Sequence, residues 1–275
     1  MSESEEGKKP APKNKDSMRN IILVSLMVCF ACSVVVSSAA VFLKPERIAN
    51  KLLDRNKNIL ETAGLYNKET DASADIDQLF SQFEVRVVDL EEKRMLSVVE
   101  AKDRGIEAAT YDQRKASKDP SRSKALGDAE DVASITRRAR YSTVYILRDE
   151  GEISKLVLPI HGYGLWSTLY GYIALEPDMN TVAGITFYEH GETAGLGGEV
   201  DNPDWKSLWH GKEIYRDGRV ALDVIKGSVT PETSDPEHKI DGLSGATLTS
   251  QGVENIIAYW MGEDGFGPIL KDIRG

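Results

Sequence analysis

The sequence predicts an α+β fold: a mostly antiparallel sheet with flanking helices, preceded by one N-terminal transmembrane helix. Three observations predict it. Residues 21–43 form a run without a charged residue, which is typical of a membrane-spanning helix. The second half of the chain has several β-type segments but no repeated strand–helix–strand pattern, which favours an antiparallel sheet over a doubly wound one. Residues 253–261 carry apolar side chains at helical spacing.

The composition is that of a folded protein that does not bind nucleic acid. Of the 275 residues, 41% are hydrophobic and 28% are charged, as in globular domains. The net charge is −10, whereas a nucleic-acid-binding surface needs an excess of basic residues. The length is enough for one medium domain or two small ones.

The apolar run predicts an uncleaved single-pass anchor in a lipid bilayer. As a helix it would extend over about 34 Å, enough to cross the apolar core of the membrane. The alternative is a cleaved signal peptide, because small residues at 37–40 offer a cleavage site, but the run is longer than an ordinary signal-peptide core. Basic residues flank the run on both sides, so the positive-inside rule does not orient it. We expect a short tail over residues 1–19, a transmembrane helix over 20–43 and a domain over 44–275.

Both cysteines of the chain, Cys29 and Cys32, lie inside the apolar run. A C-x-x-C spacing is found in redox and metal sites. The run contains no His, Asp or Glu that would complete a metal site, so we interpret both cysteines as small apolar residues of the helix surface. A metal shared with cysteines of another subunit is the alternative. We predict no metal site within this chain.

Between the anchor and the β-rich half, the sequence predicts short elements and a long polar segment. A charged helix is expected from Pro45 to about Thr62, a short helix within 75–84 and a short strand over 85–88. Residues 102–141 are the most polar part of the domain, and we interpret them as a solvated loop. A docking surface for a partner subunit is the alternative.

The β-rich half begins with a hairpin. Residues 143–147 and 153–160 are β-type segments that flank Asp-Glu-Gly at 149–151, which is a turn signal. The other predicted strands are 169–175, 182–188 and 222–225.

The most informative segment is Asp241-Gly242-Leu243-Ser244-Gly245-Ala246-Thr247, followed by Leu248 and Thr249. Its two glycines allow the backbone to approach a ligand closely. The segment leads directly into the amphipathic helix pattern, and the free amide groups at a helix start can bind a phosphate. The alternative is that its hydroxyl residues only cap the helix.

Two other glycine-rich segments can complete a site for a flat cofactor. The first is His161-Gly162-Tyr163-Gly164-Leu165-Trp166, where glycines alternate with rings that can pack against an aromatic ligand. The second is Glu192-Thr193-Ala194-Gly195-Leu196-Gly197, whose glycines allow tight turns. The alternatives are a turn with a half-buried aromatic residue for the first, and a metal site with Glu189 and His190 for the second. The spacing of those acidic and histidine residues is not that of H-E-x-x-H, which argues against metal.

The three segments, in this order, resemble the motifs of the C subunits of sodium-pumping NADH:quinone oxidoreductases, a family that carries FMN covalently. The resemblance covers the anchor, the polar middle region and the flavin domain. It implies that a flavin transferase joins the phosphate of FMN to the Thr247 hydroxyl as a phosphoester. It implies no catalytic side chain. The implied cofactor contacts are Asp241, Gly242, Leu243, Ser244, Gly245, Ala246, Leu248, Thr249, His161, Gly162, Tyr163, Gly164, Leu165, Trp166, Glu192, Thr193, Ala194, Gly195, Leu196 and Gly197.

The same resemblance implies the setting of the protein. It would be an electron relay in a bacterial inner membrane, with its large domain on the periplasmic side. Its partners would be the other subunits of the oxidoreductase complex and, during maturation, the flavin transferase. In that complex another subunit oxidises NADH, ubiquinone is reduced and sodium ions leave the cell.

Three alternative functions stay open. The G subunit of the related Rnf electron-transport complex shares the motifs but is generally shorter through the middle region. A membrane-anchored flavin sensor would need an output domain, and none is visible in the tail over residues 1–19. A flavin-free binding or scaffold module would lack covalent FMN, which survives denaturation and fluoresces in a gel.

Overall fold

The structure is a computed structural model that describes residues 17–68, 70–71 and 74–274. The chain divides into two units, residues 1–52 and residues 53–275. Nearly all of the tail predicted over residues 1–19 lies outside the described residues.

The first unit contains α1 (Met18–Phe42) and the beginning of α2 (Lys44–Thr62). α1 is 25 residues long, and none of its residues is buried. By length and composition it can cross a membrane, since about 20 apolar residues span the bilayer core. Both cysteines are free and exposed on this helix. The structure thus has helices where the sequence predicts the membrane-spanning segment over 20–43 and the charged helix from Pro45 to about Thr62.

The second unit is built from short helices and twelve described strands. The helices are α3 (Ile76–Phe80), α4 (Val98–Asp103), α5 (Gln113–Ser117), α6 (Pro203–Ser207), α7 (Thr247–Trp260) and α8 (Gly267–Arg274), with 3₁₀ turns at Gly197–Asp201 and Pro236–His238. The strands are β1 (Phe83–Asp89), β2 (Arg94–Met95), β3 (Ser123–Ala125), β4 (Arg137–Ala139), β5 (Tyr141–Asp149), β6 (Glu152–Tyr163), β7 (Thr168–Leu175), β8 (Val182–Glu189), β9 (Tyr215–Arg216), β10 (Arg219–Val220), β11 (Asp223–Ile225) and β12 (Lys239–Asp241).

The main sheet confirms the predicted α+β fold class. Its six strands follow the order β2-β1-β5-β6-β7-β8, and every neighbouring pair is antiparallel. The predicted hairpin joins β5 to β6. Its two turn residues, Glu150 and Gly151, have φ angles of 49° and 95°, and positive φ at both central positions suits the twist of a two-residue hairpin.

The core lies on both faces of this sheet because side chains alternate along each strand. Along β6, Leu156 and Leu158 belong to the cluster under α7, whereas Val157 belongs to the cluster under the end of α2. The apolar stripe predicted for α7 is confirmed: Val253, Ile256, Ile257 and Trp260 are fully buried and Met261 is 1% exposed. This packing fixes α7, and therefore its first residue, against the sheet.

The interpretation of residues 102–141 as a solvated loop is wrong. The segment holds α5, β3 and β4, and Ala116, Ala133 and Ala139 within it are at most 2% exposed. Side-chain caps organise these short elements: Asp112 accepts a hydrogen bond from the Lys115 amide at 3.0 Å. Elements of three to five residues are too short to produce a periodic apolar pattern, so the polar composition concealed them.

The predicted strand over 222–225 exists as β11, but it lies outside the main sheet. It pairs in parallel with β12, with Ile225 opposite Asp241. β12 therefore delivers the Asp241–Thr247 segment to the start of α7 from a separate two-stranded sheet.

Candidate functional site

The start of α7 presents Thr247 to solvent. Thr247 is the first residue of the helix and is exposed. The N-cap residue is Ala246, which offers no side-chain cap. Because the first amide groups of a helix have no acceptor within the helix, this end offers donors for an anion next to the Thr247 hydroxyl.

The neighbouring hydroxyl groups shape the loop rather than cap the helix. Ser250 Oγ accepts from the Leu243 amide at 2.9 Å and donates to the Ala246 carbonyl at 3.2 Å. Thr249 Oγ1 donates to Glu192 Oε2 at 2.8 Å. Both side chains are buried, whereas Ser244 and Thr247 are exposed. The capping alternative is therefore wrong for this helix.

The loop before α7 is held from both sides. The Asp241 carbonyl accepts from Trp205 Nε1 at 2.8 Å, and Asp241 Oδ1 accepts from the Val229 amide at 2.8 Å. Gly242 lies so close to the Ile225 carbonyl that a Cβ there would collide with it. Gly245 has a φ of 71°, a conformation that glycine adopts without strain. Asp241 and Gly242 thus set the loop geometry through contacts with α6, β11 and the loop that follows β11.

Glu192 joins the three predicted segments. Its carboxylate accepts from the amides of Leu165, Trp166 and Ser167 at 3.0–3.2 Å, in addition to Thr249. Burial acts to raise the pKa of Glu192, but the donors, Trp166 and Thr249 first among them, outweigh it and lower that pKa. The carboxylate therefore stays ionised inside a ring of donors. It holds the loops together, and both of its oxygens accept hydrogen bonds from groups of the protein.

Glycines allow these loops to pack this closely. A Cβ on Gly164 would lie 2.8 Å from Glu192 Oε1, and one on Gly197 would lie 2.9 Å from Glu192 Oε2. On α7, a Cβ on Gly252 would lie 2.6 Å from the Tyr163 carbonyl. Larger residues at these three positions would force the loops away from the helix.

Four large apolar side chains on the three joined segments are open to solvent. The exposed fractions are 66% for Trp166, 58% for Leu248, 44% for Tyr163 and 43% for Leu196. The Tyr163 hydroxyl donates to the Trp166 carbonyl at 3.2 Å, and Leu196 Cδ2 lies 3.0 Å from where a Cβ on Gly245 would be. We call these four residues the apolar rim. Large exposed apolar side chains mark binding surfaces, and the two rings suit a flat aromatic ligand.

Of the other predicted contact residues, His161 and Gly162 lie along α7 away from Thr247, and the turn over 193–196 lies at the surface. The His161 ring packs 4.9 Å from the ring of Trp260, the last residue of α7, at the opposite end of that helix from Thr247. Gly162 packs against Ile256 in the middle of the helix. The turn over residues 193–196 is exposed, and the Thr193 carbonyl accepts from the amides of Leu196 and Gly198.

Two residues of the site, Ser167 and Gly252, were not among the predicted contacts, and only one of them carries a sequence signal. Ser167 Oγ accepts from the Gly191 amide at 2.6 Å and links the two glycine-rich loops. Gly252 stands inside the amphipathic helix pattern, where a glycine is unfavourable by about 1 kcal/mol and therefore indicates a close packing contact. The signal for Gly252 was present; Ser167 has none beyond its place next to Trp166.

A carboxyl pair formed by Glu254 of α7 and Asp223 of β11 makes stability depend on pH. Burial, and then the nearby Asp223 carboxylate, raise the pKa of Glu254 from 4.5 to about 7. As the pH rises, the unfolded chain loses this proton before the folded state does. The contribution of the protonated Glu254 to the free energy of unfolding is therefore complete at low pH and is lost as the pH rises through about 7. We expect Glu254→Gln to raise the Tm above that of the parent chain by an amount that grows between about pH 4.5 and 7.

Thermal unfolding followed by circular dichroism at pH 4, 5, 6, 7 and 8 would measure this difference. The exposed Glu232 supplies the control, since Glu232→Gln removes a carboxyl group from a solvated loop. A Tm difference that does not change with pH would contradict the prediction.

Comparison with known proteins identifies the family. A family model described as an FMN-binding domain matches residues 164–262. The C subunit of the Na⁺-translocating NADH-quinone reductase from Pseudomonas aeruginosa is 49% identical over 263 residues, which cover 95% of this chain and 98% of that protein. Its counterpart from Vibrio alginolyticus is 46% identical over 264 residues, covering 95% and 97%.

A solved structure agrees with these relatives. The crystal structure of Shewanella oneidensis NqrC matches with a TM-score of 0.70 and 32% identity, and the match covers 82% of this chain and 99% of that one. The matched FMN-binding domain includes the Glu192 carboxylate, the whole of α7 and three of the four rim residues, Trp166, Leu196 and Leu248. The chain therefore belongs to the family of the C subunits of Na⁺-translocating NADH-quinone reductases.

Proposed function

We propose that this protein is the electron-relay subunit of a sodium-translocating NADH:ubiquinone oxidoreductase and carries FMN as a phosphoester on the Thr247 hydroxyl. The observation that supports this best is the start of α7, where an exposed threonine stands at an uncapped helix end, next to Leu248 of the apolar rim. A helix start favours the phosphate, and the rim favours the flat ring. The bound FMN supplies the electron transfer.

In this proposal the protein's own residues bind FMN and orient its ring. The first amides of α7 hold the phosphate end, next to the hydroxyl that forms the ester. Glu192 fixes the backbone of residues 165–167, and this sets the direction of Trp166. Leu196 and Leu248, both exposed, would supply further apolar contacts to the ring. The other predicted contacts in the three segments shape these loops, and no side chain is required to act as an acid, a base or a nucleophile.

Peptide mass mapping tests the attachment. The full chain, co-expressed with its flavin transferase, is digested, and the peptide containing Thr247 is expected to be heavier by the mass of FMN less one water, as a phosphoester requires. In-gel fluorescence of the denatured chain gives an independent reading, because only a covalent flavin remains. Unmodified peptide together with a dark band would show that the chain does not carry FMN covalently.

The proposal includes a topology. Residues 1–19 would lie in the cytoplasm, residues 20–43 would cross the inner membrane, and residues 44–275 would lie in the periplasm with the flavin transferase and the partner subunits. A protease added to intact spheroplasts that make this chain without its partners should digest the domain. Digestion only after the membrane is lysed would place the domain in the cytoplasm.

Trp166 offers a test of the ring pocket. Its side chain is 66% exposed, so a surface substitution there is expected to change stability by less than about 0.5 kcal/mol. Trp166→Ala should keep the covalent bond at Thr247 but change the visible absorption or the midpoint potential of the flavin. Leu208→Ala, at an exposed leucine outside the rim, is the control. A flavin spectrum and potential equal to those of the parent would assign Trp166 to packing alone.

A further inference from the structure

Arg114 connects the polar middle region to the candidate site. It lies on α5, and its Nη1 and Nη2 donate to the two carboxylate oxygens of Glu189 at 2.7 and 2.6 Å. The guanidinium carbon also lies 3.5 Å from the centre of the Tyr170 ring. Two parallel hydrogen bonds and a stacked ring fix the guanidinium in direction as well as in distance.

The residues that Arg114 contacts lie at the strand ends that lead into the two glycine-rich loops. Tyr170 and Glu189 are opposite each other across β7 and β8. The loop over 164–167 enters β7, and the loop over 190–197 leaves β8. The register shifts between Tyr170 and Gly171, and a bulge of this kind redirects the strand that carries it. A side chain that bridges the pair here sets where both loops point.

Arg114 is mounted on an element that the domain holds firmly. Ser142 Oγ on β5 donates to Gln113 Oε1 at 2.9 Å. Ala116, on the same short helix, is 2% exposed, and Asp112 caps the helix start. Arg114 is therefore fixed relative to the main sheet, and the two loops are positioned relative to that sheet through Arg114.

The contact extends to the far end of α7 through stacked rings. Tyr170 stacks on His161 with ring centres 5.6 Å apart, and the His161 ring lies 4.9 Å from Trp260. Trp260 Nε1 in turn donates to the His161 carbonyl at 2.6 Å. Burial, aided by the Arg114 charge, lowers the pKa of His161 to about 4, so this ring is neutral at physiological pH and stacks beside the cation without repulsion.

The geometry points to Arg114 as a positioning residue of the FMN site, which fixes the two ring-holding loops relative to each other and so sets the environment of the flavin ring. The inference rests on the proposed function, because it concerns the ring that these loops hold. The side chains of Arg114 and Glu189 are 41% and 55% exposed, and ion pairs this exposed contribute little to stability. We expect the Arg114–Glu189 pair to affect the geometry of the two loops more than the free energy of unfolding.

Hydrogen exchange of the full chain in detergent tests the positioning without FMN. Arg114→Gln should make the amides of residues 165–167 and of Gly191 exchange severalfold faster, since in the parent chain the side chains of Glu192 and Ser167 hold these amides. Arg122→Gln is the matched control: it removes the same charge from the same region, where Arg122 lies over Tyr111, 5.7 Å from the ring centre. Unchanged exchange in Arg114→Gln would overturn the inference.

A conservative variant and a charge-reversed pair separate a positioning role from simple loss of charge. Arg114→Lys keeps the charge but loses the paired hydrogen bonds, so its exchange should be intermediate. The reversed pair, Arg114→Glu with Glu189→Arg, should restore slow exchange relative to Arg114→Glu alone. Exchange that is equally fast with the reversed pair would contradict the bridge.

The midpoint potential of the chain that carries FMN provides a second test. The midpoint potential of the flavin should shift in Arg114→Gln and stay at the parent value in Arg122→Gln. Faster loop exchange with an unchanged potential would overturn the claim that Arg114 affects the ring. A parent chain that carries no FMN would defeat the proposed function instead, and the exchange result would still decide whether Arg114 positions the loops.

Discussion

Thr247→Ala is expected to abolish covalent FMN completely while the chain still folds and enters the membrane. The substitution removes the only atom that would form the ester, and Thr247 is exposed, so the free energy of unfolding should change by less than about 0.5 kcal/mol. In-gel fluorescence of the denatured chain, co-expressed with the flavin transferase, measures the attachment. Circular dichroism of the same preparation measures the fold.

Two matched variants make this result specific. Thr247→Ser keeps a hydroxyl at the helix start and should retain a fluorescent band. Ser244→Ala removes the other exposed hydroxyl of the same loop and should retain the band as well. A fluorescent band in Thr247→Ala, or its loss in Ser244→Ala alone, would move the attachment to another residue.

Glu192→Ala is expected to have the largest effect on stability among the site residues. It would leave the amides of Leu165, Trp166 and Ser167 and the hydroxyl of Thr249 without their acceptor. Because buried donors without partners cost about 1–3 kcal/mol each and part of the loop can relax to water, we expect a loss on the order of 3 kcal/mol. Chemical denaturation of the full chain in detergent measures it.

The same variant should also lose FMN, since the loops that surround Thr247 would no longer be held together. Glu192→Gln should be milder, because its amide oxygen can still accept while its amide nitrogen faces donors. Glu232→Ala, in an exposed loop, should leave both stability and loading unchanged. Equal stabilities for Glu192→Ala and Glu232→Ala would show that the carboxylate does not hold the site.

The sequence predicted the features that repeat or that carry a charge pattern. Five of the six strands of the main sheet follow from β-type runs, whereas the two-residue β2 was not predicted. The stripe from Val253 to Met261 predicted α7 and its buried face. The length of the charge-free run predicted α1. In each case a periodic or long signal matches a burial pattern that the fold requires.

What the sequence did not predict depends on side chains that are distant along the chain. Glu192 was expected among the cofactor contacts, and the structure shows it surrounded by the protein's own donors. Arg114 was part of a polar segment interpreted as a loop, yet it reaches Glu189, 75 residues later. No local pattern encodes such a pair, because only the folded sheet brings β7, β8 and α5 together.

The way Glu192 and Thr249 tie the loops to α7 has a consequence for the order of biogenesis. Thr247 is on the surface, but its surroundings form only when the loops after β6 and β8 have closed on α7, since Glu192 joins the Trp166 amide to the Thr249 hydroxyl. An unfolded or half-exported chain would offer the transferase a threonine without its surrounding geometry. Flavin loading would then follow folding. A chain that carries the cofactor would be one that has already reached its native state.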